Sequence, residues 1–535
     1  MLPHHIDAML YHLRKRPLLG ELVRADPRRA ILEALAGSNE WRAVPPLMPL
    51  IAANDALTPI AARTAARLLL GVSPSQLSWI DVEARRYLAP DRSHRPWQEL
   101  TAAAIPALIE NLRPQWTAIG LLASHANGYV RQAAVSALGS ATDGTEIPFL
   151  ALRANDWVPD VSTVATSLLA ARLAPAHQAQ VLESMPVIAR LLGQQRHNHQ
   201  RLSDGFASVM LGADFAVLQA RLQALDTGVA RFVYSLLLAA APADHPILVG
   251  ALGATDPAIR QAAVRKHASR PSTEVAARLI PLSRTDSAPG VRREALSVVA
   301  ERAPASLRPL LPEILLDRSA RIRMLAQYLA VRLDPTLDVK ALYRTRLADR
   351  RRDYRAAAIA GLGETGTRDD ATEIEGLLND DSPKIRRTSL RAFARLDGDR
   401  ALPAAMSALE DRSASVRTAA RAIARAHGHR VDFNRLHGRW RQASDPDVRM
   451  GMLLVLAQAP KWDAVVYLLE ALADSSESMH GYASRLLRDW IDAYNRSHLQ
   501  PSRDHLLRIR AALAAPAARL DPHAARFLSL IVEER

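Results

Sequence analysis

Few stretches of this chain have residue types and spacing suited to chemistry. Gly361-Leu-Gly-Glu-Thr-Gly366 spells the glycine pattern of a dinucleotide site. That pattern aims backbone N–H groups at a pyrophosphate only when a strand precedes it and a helix starts after it. Here a helical segment, Arg355 to Leu362, runs into it, so the glycines read as a helix end and turn. His197 and His199 stand two apart in Gln194-Gln-Arg-His-Asn-His-Gln200, a spacing that can chelate a metal, yet no further ligand accompanies them. His427 and His429 bracket Gly428 at another helix end in the same manner. Both pairs read as solvated turns. The chain has no cysteine, which excludes disulfides and thiolate metal sites. No Walker loop, H-E-x-x-H or G-x-S-x-G occurs. The expectation is no catalytic residue, no metal and no cofactor.

The elements around these stretches carry a stronger signal. Arg260, Arg292, Arg323, Arg355, Arg386, Arg417 and Arg449 recur at intervals of 31 or 32 residues, each after Val, Ile or Tyr. Asp286, Asp317, Asp349, Asp380 and Asp411 each stand six residues before one of them. A period of this length means a solenoid, in which each unit stacks on its neighbours. One unit shows the design. Pro383 to Leu396 places Ile385, Ser389, Ala392, Phe393 and Leu396 on one helical stripe, Asp397-Gly398-Asp399 breaks it, and a second helix runs from Ala401 to Glu410. Ser413 or Ser415 is available to cap the next helix. A guanidinium beside the buried stripe and a carboxylate in the preceding turn can pair within a unit or with the next one, giving a structural ladder of Asp286, Arg292, Asp317, Arg323, Asp349, Arg355, Asp380, Arg386, Asp411 and Arg417.

Composition agrees with helices and bounds the rest. The 535 residues are 49% hydrophobic but only 5% aromatic, the apolar content being mostly Ala and Leu. No signal-type run opens the chain at Met1 to Pro17, and the apolar stretch Phe232 to Ala241 is too short to span a bilayer. A cytoplasmic protein without a membrane partner is expected. The net charge of +14 fits attraction to nucleic acid or another polyanion. It equally fits a compositional bias, since Lys15, Lys266, Lys340, Lys384 and Lys461 are the only lysines among 69 basic residues.

The stretches Asp380-Asp-Ser-Pro-Lys-Ile385-Arg386, Asp411-Arg-Ser-Ala-Ser-Val416-Arg417 and Asp445-Pro-Asp-Val448-Arg449 resemble the HEAT-repeat family, particularly its short bacterial form, the phycobilisome-lyase-type HEAT-like repeats. The resemblance implies an all-α, right-handed α-solenoid of stacked helical hairpins, about fourteen pairs in all. It divides the chain into irregular N-terminal helical repeats (1–125), degenerate repeats (126–250), regular repeats (251–495) and C-terminal capping helices (496–535). In the weaker part, Tyr129-Val130-Arg131 matches well, Val161-Ser162 carries Ser at the Arg position, Val229-Ala230 lacks the Arg, and Ala61 replaces it near the start. Met479-His480 extends the series forward. The Pro-rich stretches Val44 to Pro49 and Asp91 to Pro96 read as turns. Leu506, Leu507, Ile509, Leu513, Phe527, Leu528 and Ile531 mark the buried sides of the cap.

Some HEAT-like proteins are DNA glycosylases with an Asp near aromatic residues in a basic groove. Asn155-Asp156-Trp157-Val-Pro-Asp160 is the nearest local analogue, and it is also simply an inter-helix turn. In HEAT-like stacks the second helices line the concave face. Positions one and five after each ladder Arg then face outward, which selects Arg265, Arg293, Met324, Tyr328, Arg387, Arg391, Met450 and Leu454 as partner-binding residues. Met and Tyr among arginines suit a protein partner, whereas a phosphate backbone would call for an unbroken basic row. The expected role is a non-enzymatic scaffold or adaptor holding a protein along the concave face. The alternative is a nucleic-acid binder, glycosylase-like or, from the subtype's name, lyase-like. Oligomeric state is left open.

Overall fold

In a computed structural model of the protein, the described residues are 3–14, 26–86, 95–112, 115–194, 199–474, 476–494, 498–514 and 520–533. They contain helices and turns and no strand. The chain forms two compact units, residues 1–275 and 276–535, divided within the helix Ser272–Thr285. Each unit is an all-helical solenoid of stacked hairpins. In the second unit the ladder helices Arg352–Thr365, Pro383–Leu396, Ala414–Ala426 and Pro446–Leu456 pack in series, each also against the shorter helix before it.

The ladder arginines are the polar spine of this packing. Arg386 donates from Nη1 to the carbonyls of Asp380 (2.8 Å) and Asp381 (3.1 Å) in its own turn. Its Nε and Nη2 then grip both oxygens of Asp411 in the next turn, each at 2.8 Å. Arg292 repeats the arrangement, with Asp286 O at 2.7 Å and both Asp317 oxygens at 2.8 Å. Arg355 reaches Asp380 at 2.7 Å and Arg449 reaches Asp474 at 2.5 Å. In the first unit Arg131 grips Asp156 at 2.9 Å, and Arg231 grips Asp256 at 2.8 Å. In each of these pairs the carboxylate is 25 residues beyond its arginine. It also accepts the N–H two residues on, as Asp411 does from Ser413 (2.7 Å) and Asp317 from Ser319 (2.7 Å). One aspartate thus closes its turn and receives the preceding unit.

Three ladder arginines, Arg260, Arg323 and Arg417, have no carboxylate at this spacing; for Arg260 the position is Thr285. Asp349 lies 26 residues after Arg323, and it turns instead to Arg346 (3.3 Å) and Arg351 (3.4 Å). Arg323 goes to Glu364, at 2.5 Å, on the Arg352–Thr365 helix. The expected Arg323–Asp349 rung is therefore absent, displaced by one extra residue. Arg417 has Gln442 at the 25-residue position, and among the described residues the one carboxylate it pairs with is the exposed Asp447, at 3.4 Å. Two of the replacements still tie down their own turn: Ser162 Oγ donates to Ala154 O (2.8 Å), and the His480 ring meets Leu472 O (3.0 Å).

Several local expectations are corrected. Only the last glycine of the Gly361 pattern ends the helix, Gly366 capping it after Thr365, while Gly361 and Gly363 lie inside. Those two permit close packing. A Cβ on Gly361 would fall 2.3 Å from the ring of Tyr343, and one on Gly363 would fall 2.8 Å from Cα of Ala392 on the next ladder helix. Ser413 stands at the N-cap but makes no side-chain cap hydrogen bond, its hydroxyl meeting that of Ser415 instead (3.0 Å). The helix after Asp397 starts at Gly398, where Asp397 accepts from the Arg400 N–H (3.2 Å). Val44 to Pro49 is not a turn. It opens the helix Val44–Ala52, with proline tolerated at the first positions, where N–H groups have no helical partner. At the C-terminus the helices Arg503–Ala514 and Pro522–Glu533 bury Ile509, Leu528 and Ile531, but Leu507 faces solvent. Met1 and Pro17, and Asp91 to His94, lie outside the described residues.

Asp411→Ala leaves the buried Arg386 guanidinium without its counter-charge and should lower unfolding free energy by about 3 kcal/mol. Asp447→Ala, at the loose rung, should shift the urea midpoint far less. Equal shifts in the two variants would show that the 25-residue rung has no special standing. Gly363→Ala forces a methyl onto neighbouring backbone and should destabilise by about 1–3 kcal/mol in the same assay.

Candidate interaction surface

The residues with chemical potential are mostly absorbed by the fold. Asp156 is fully buried and its oxygens meet Arg131, Arg153 (3.0 Å) and Arg85 (3.5 Å), while Arg153 also bridges to Asp81 (2.5 Å). Burial alone would raise its pKa, but the hydrogen bonds from Arg131 and the Val158 N–H, with the neighbouring positive charges, hold it below the ordinary carboxylate value. A carboxylate so held is a permanent counter-ion, whereas a general acid or base works best with a pKa near the operating pH. Trp157 beside it is 70% exposed, with the Arg131 guanidinium 5.5 Å from its ring centre.

Of the histidine pairs, His197 lies outside the described residues and His199 is buried. His427 is half-buried with its ring beside Gly398, and His429 is exposed. No group of three or more His, Asp or Glu among the described residues is arranged to hold a metal. A cavity of about 270 Å³ opens in the second unit beside Arg292 and Asp317, reaching Asp353 and Tyr354. Most of its charged lining is engaged in pairs: Arg292 with Asp317, Arg284 with Glu313 (2.7 Å), Asp353 with Lys384.

The outward positions of the ladder helices divide in two. Arg265, Arg293, Met324, Tyr328 and Arg391 are exposed. Arg387, Met450 and Leu454 are half-buried, and Met450 packs against the core. On the helix Ala320–Leu333, Met324 is 60% exposed, Tyr328 56% and Val331 71%. Spacings of four and three put these three on one face, so they form a continuous apolar stripe. Val331 was not anticipated, although its place seven residues after Met324 carries that signal. Arg332 steadies the stripe, donating to the Tyr328 hydroxyl (3.0 Å) with its guanidinium 5.5 Å from the ring centre.

Sequence reasoning missed other residues. Arg231 was passed over for Ala230, although an Asp 25 residues later identifies it. Glu364 has no repeat signal at all. It draws Arg323, Gln327 (3.2 Å) and Arg395 (3.7 Å) to one point beside Tyr343, whose hydroxyl burial pushes up to about 12.

Residues 339–424 match the family model for HEAT repeats. No curated protein matches the chain. Among solved structures it aligns with yeast importin-beta (Kap95p) at 11% identity, covering 99% of this chain and 67% of that one, TM-score 0.30. Kap95p in a structure concerned with RanGDP gives 12% identity, 86% and 67% coverage, and TM-score 0.36. Kap121p bound to the SUMO protease Ulp1p gives 12%, 100% and 57%, and TM-score 0.27. At such scores the likenesses carry no argument about what this chain binds.

The ladder carboxylates fix an acid sensitivity. Burial raises Asp411, but Arg386 and the Ser413 N–H bring it below its ordinary value of 3.8. Asp397 is drawn down to about 2 chiefly by its hydrogen bonds from Arg368. Groups with depressed folded pKa values stabilise above the unfolded value and cease to as pH falls through the folded one. The urea midpoint should therefore be level down to about pH 5 and fall between about pH 4 and 2. A midpoint that held to about pH 2 would contradict these pairs.

Proposed function

We propose that this chain, whose residues 339–424 are HEAT repeats, is a non-enzymatic scaffold that binds a protein partner on the outward face of its ladder helices. The observation that supports the reading most is the stripe of Met324, Tyr328 and Val331. Three large apolar side chains stand in solvent on one helix, with Arg332 donating to the Tyr328 hydroxyl and Arg293 exposed on the preceding ladder helix. Such a mixture of Met, Tyr and Arg is what protein interfaces concentrate at their centres. The short bacterial subtype of repeat is supported by the Asp-x-Ser turns at Asp380 and Asp411 and by their 25-residue rungs. The basic composition has a structural use in the ladder, so it gives nucleic-acid binding no separate support.

Met324→Ser with Tyr328→Ser should leave the urea midpoint unchanged, since both side chains are exposed, and should abolish capture of the native partner from lysate by the full chain. Capture equal to wild type would place the interface elsewhere. Tight binding of labelled DNA that weakens steeply with salt, with no protein captured, would replace the scaffold reading by the nucleic-acid one.

A further inference from the structure

Arg421, Arg425, Tyr482 and Arg485 converge from two ladder helices across a third. Arg421 and Arg425 belong to the helix Ala414–Ala426, and Tyr482 and Arg485 to the helix Glu477–Asp492. Between them, on Pro446–Leu456, stands Gly451. The Arg421 guanidinium lies over it: a Cβ there would meet Nη1 at 2.9 Å. Its Nη2 donates to Thr418 Oγ1 (2.9 Å). The Arg485 guanidinium is 5.5 Å from the Tyr482 ring centre. Burial raises the Tyr482 pKa, and the charges of Arg421, Arg485 and Arg425 all act on it in the opposite sense.

Three cations around one phenol repel one another, yet among the described residues none forms an ion pair with a carboxylate. The acids nearest along the chain are occupied or turned away. Asp447 faces Arg417 and Asp474 faces Arg449, while Asp489, four residues after Arg485, makes no pair with it. Tyr482 is half-buried, and its hydroxyl has no hydrogen-bond partner among the described residues. Arg292 and Arg386, by contrast, are saturated by carbonyls and carboxylates. Here they are left with donors to spend.

We propose that Arg421, Arg425, Arg485 and the Tyr482 hydroxyl form a binding site for an acidic peptide segment, a carboxylate of which sits against the Arg421 guanidinium where it crosses Gly451. The site rests on the scaffold reading and names the chemistry of the partner. Glycine at 451 keeps the middle helix low, so the arginines on either side reach one anion. Half-buried Met450 and Leu454 beside it offer apolar contact to the peptide's other side chains. A nucleic-acid backbone is the poorer fit. It presents charge every few ångströms and needs a basic track, whereas the outward positions Ala356 and Ala360 of an earlier ladder helix are uncharged and Ala356 is buried.

The probe is a fluorescein-labelled peptide of alternating Glu and Leu, titrated with the full chain by anisotropy at low salt. A Lys/Leu peptide and a single-stranded DNA of equal length are the controls. The Glu/Leu peptide should bind saturably, and added salt should weaken it. Arg425→Gln with Arg485→Gln, both at exposed positions, should weaken it about tenfold or more at an unchanged urea midpoint. Gly451→Ala, whose methyl pushes only the Arg421 guanidinium aside, should also weaken it, and Arg412→Gln, exposed on a turn, should not. No saturable binding, equal binding by the variants, or tighter DNA binding through the same arginines would each overturn the site. If the peptide fails while the Met324/Tyr328 pair still governs partner capture, the scaffold reading stands without this site. If both fail, both fall.

Discussion

Hydrogen-bond saturation of a buried guanidinium sets the layout of this protein. A ladder arginine has donors on three nitrogens, and leaving any of them buried without a partner is costly. Arg292 and Arg386 meet the demand with carbonyls of their own turn on one side and a carboxylate of the next turn on the other. The demand is geometric, because both sets of acceptors must stay in reach at once. It ties the length of the intervening hairpin to 25 residues and so fixes how far one unit is from the next. The apolar stripes of Ala, Leu and Ile supply most of the burial, but apolar packing alone tolerates sliding. The arginines are what set the register.

The sequence exposed this plan to the extent that it repeats. Arg386 and Asp411 were legible because their interval recurs, and so was the all-helical stack. What escaped was whatever occurs once. One surplus residue between Arg323 and Asp349 broke the rung, and Glu364 took the cation without belonging to any pattern. The glycines of Gly361-Leu-Gly had a plausible turn reading, yet their reason lies in the Tyr343 ring and the Ala392 backbone, both distant in sequence. Face assignment by spacing found Met324 and Tyr328. It placed Met450 and Leu454 outward too, although neighbouring helices half-cover them. Arg421, at four rather than five residues past its ladder arginine, went unnoticed because its role depends on a glycine in another helix.

The arginines therefore fall into two populations. One is buried, paired and structural, as Arg131, Arg292, Arg323 and Arg386 are. The other stands on outward faces with unsatisfied donors, as Arg425 and Arg485 do. Net charge sums the two and distinguishes neither. Only the second population can meet a partner, and it is confined to patches separated by apolar or alanine positions.

The rungs also have a direction. Each unit offers its guanidinium forward and its carboxylate backward. A tandem copy of one unit therefore arrives with a cation for the copy after it and an anion for the one before. Internal seams remain neutral however many copies accumulate, and only the outermost two faces carry opposite, uncompensated signs. Genetic duplication can lengthen such an array without inventing a new interface, provided the copied segment preserves the spacing that Asp349 lost.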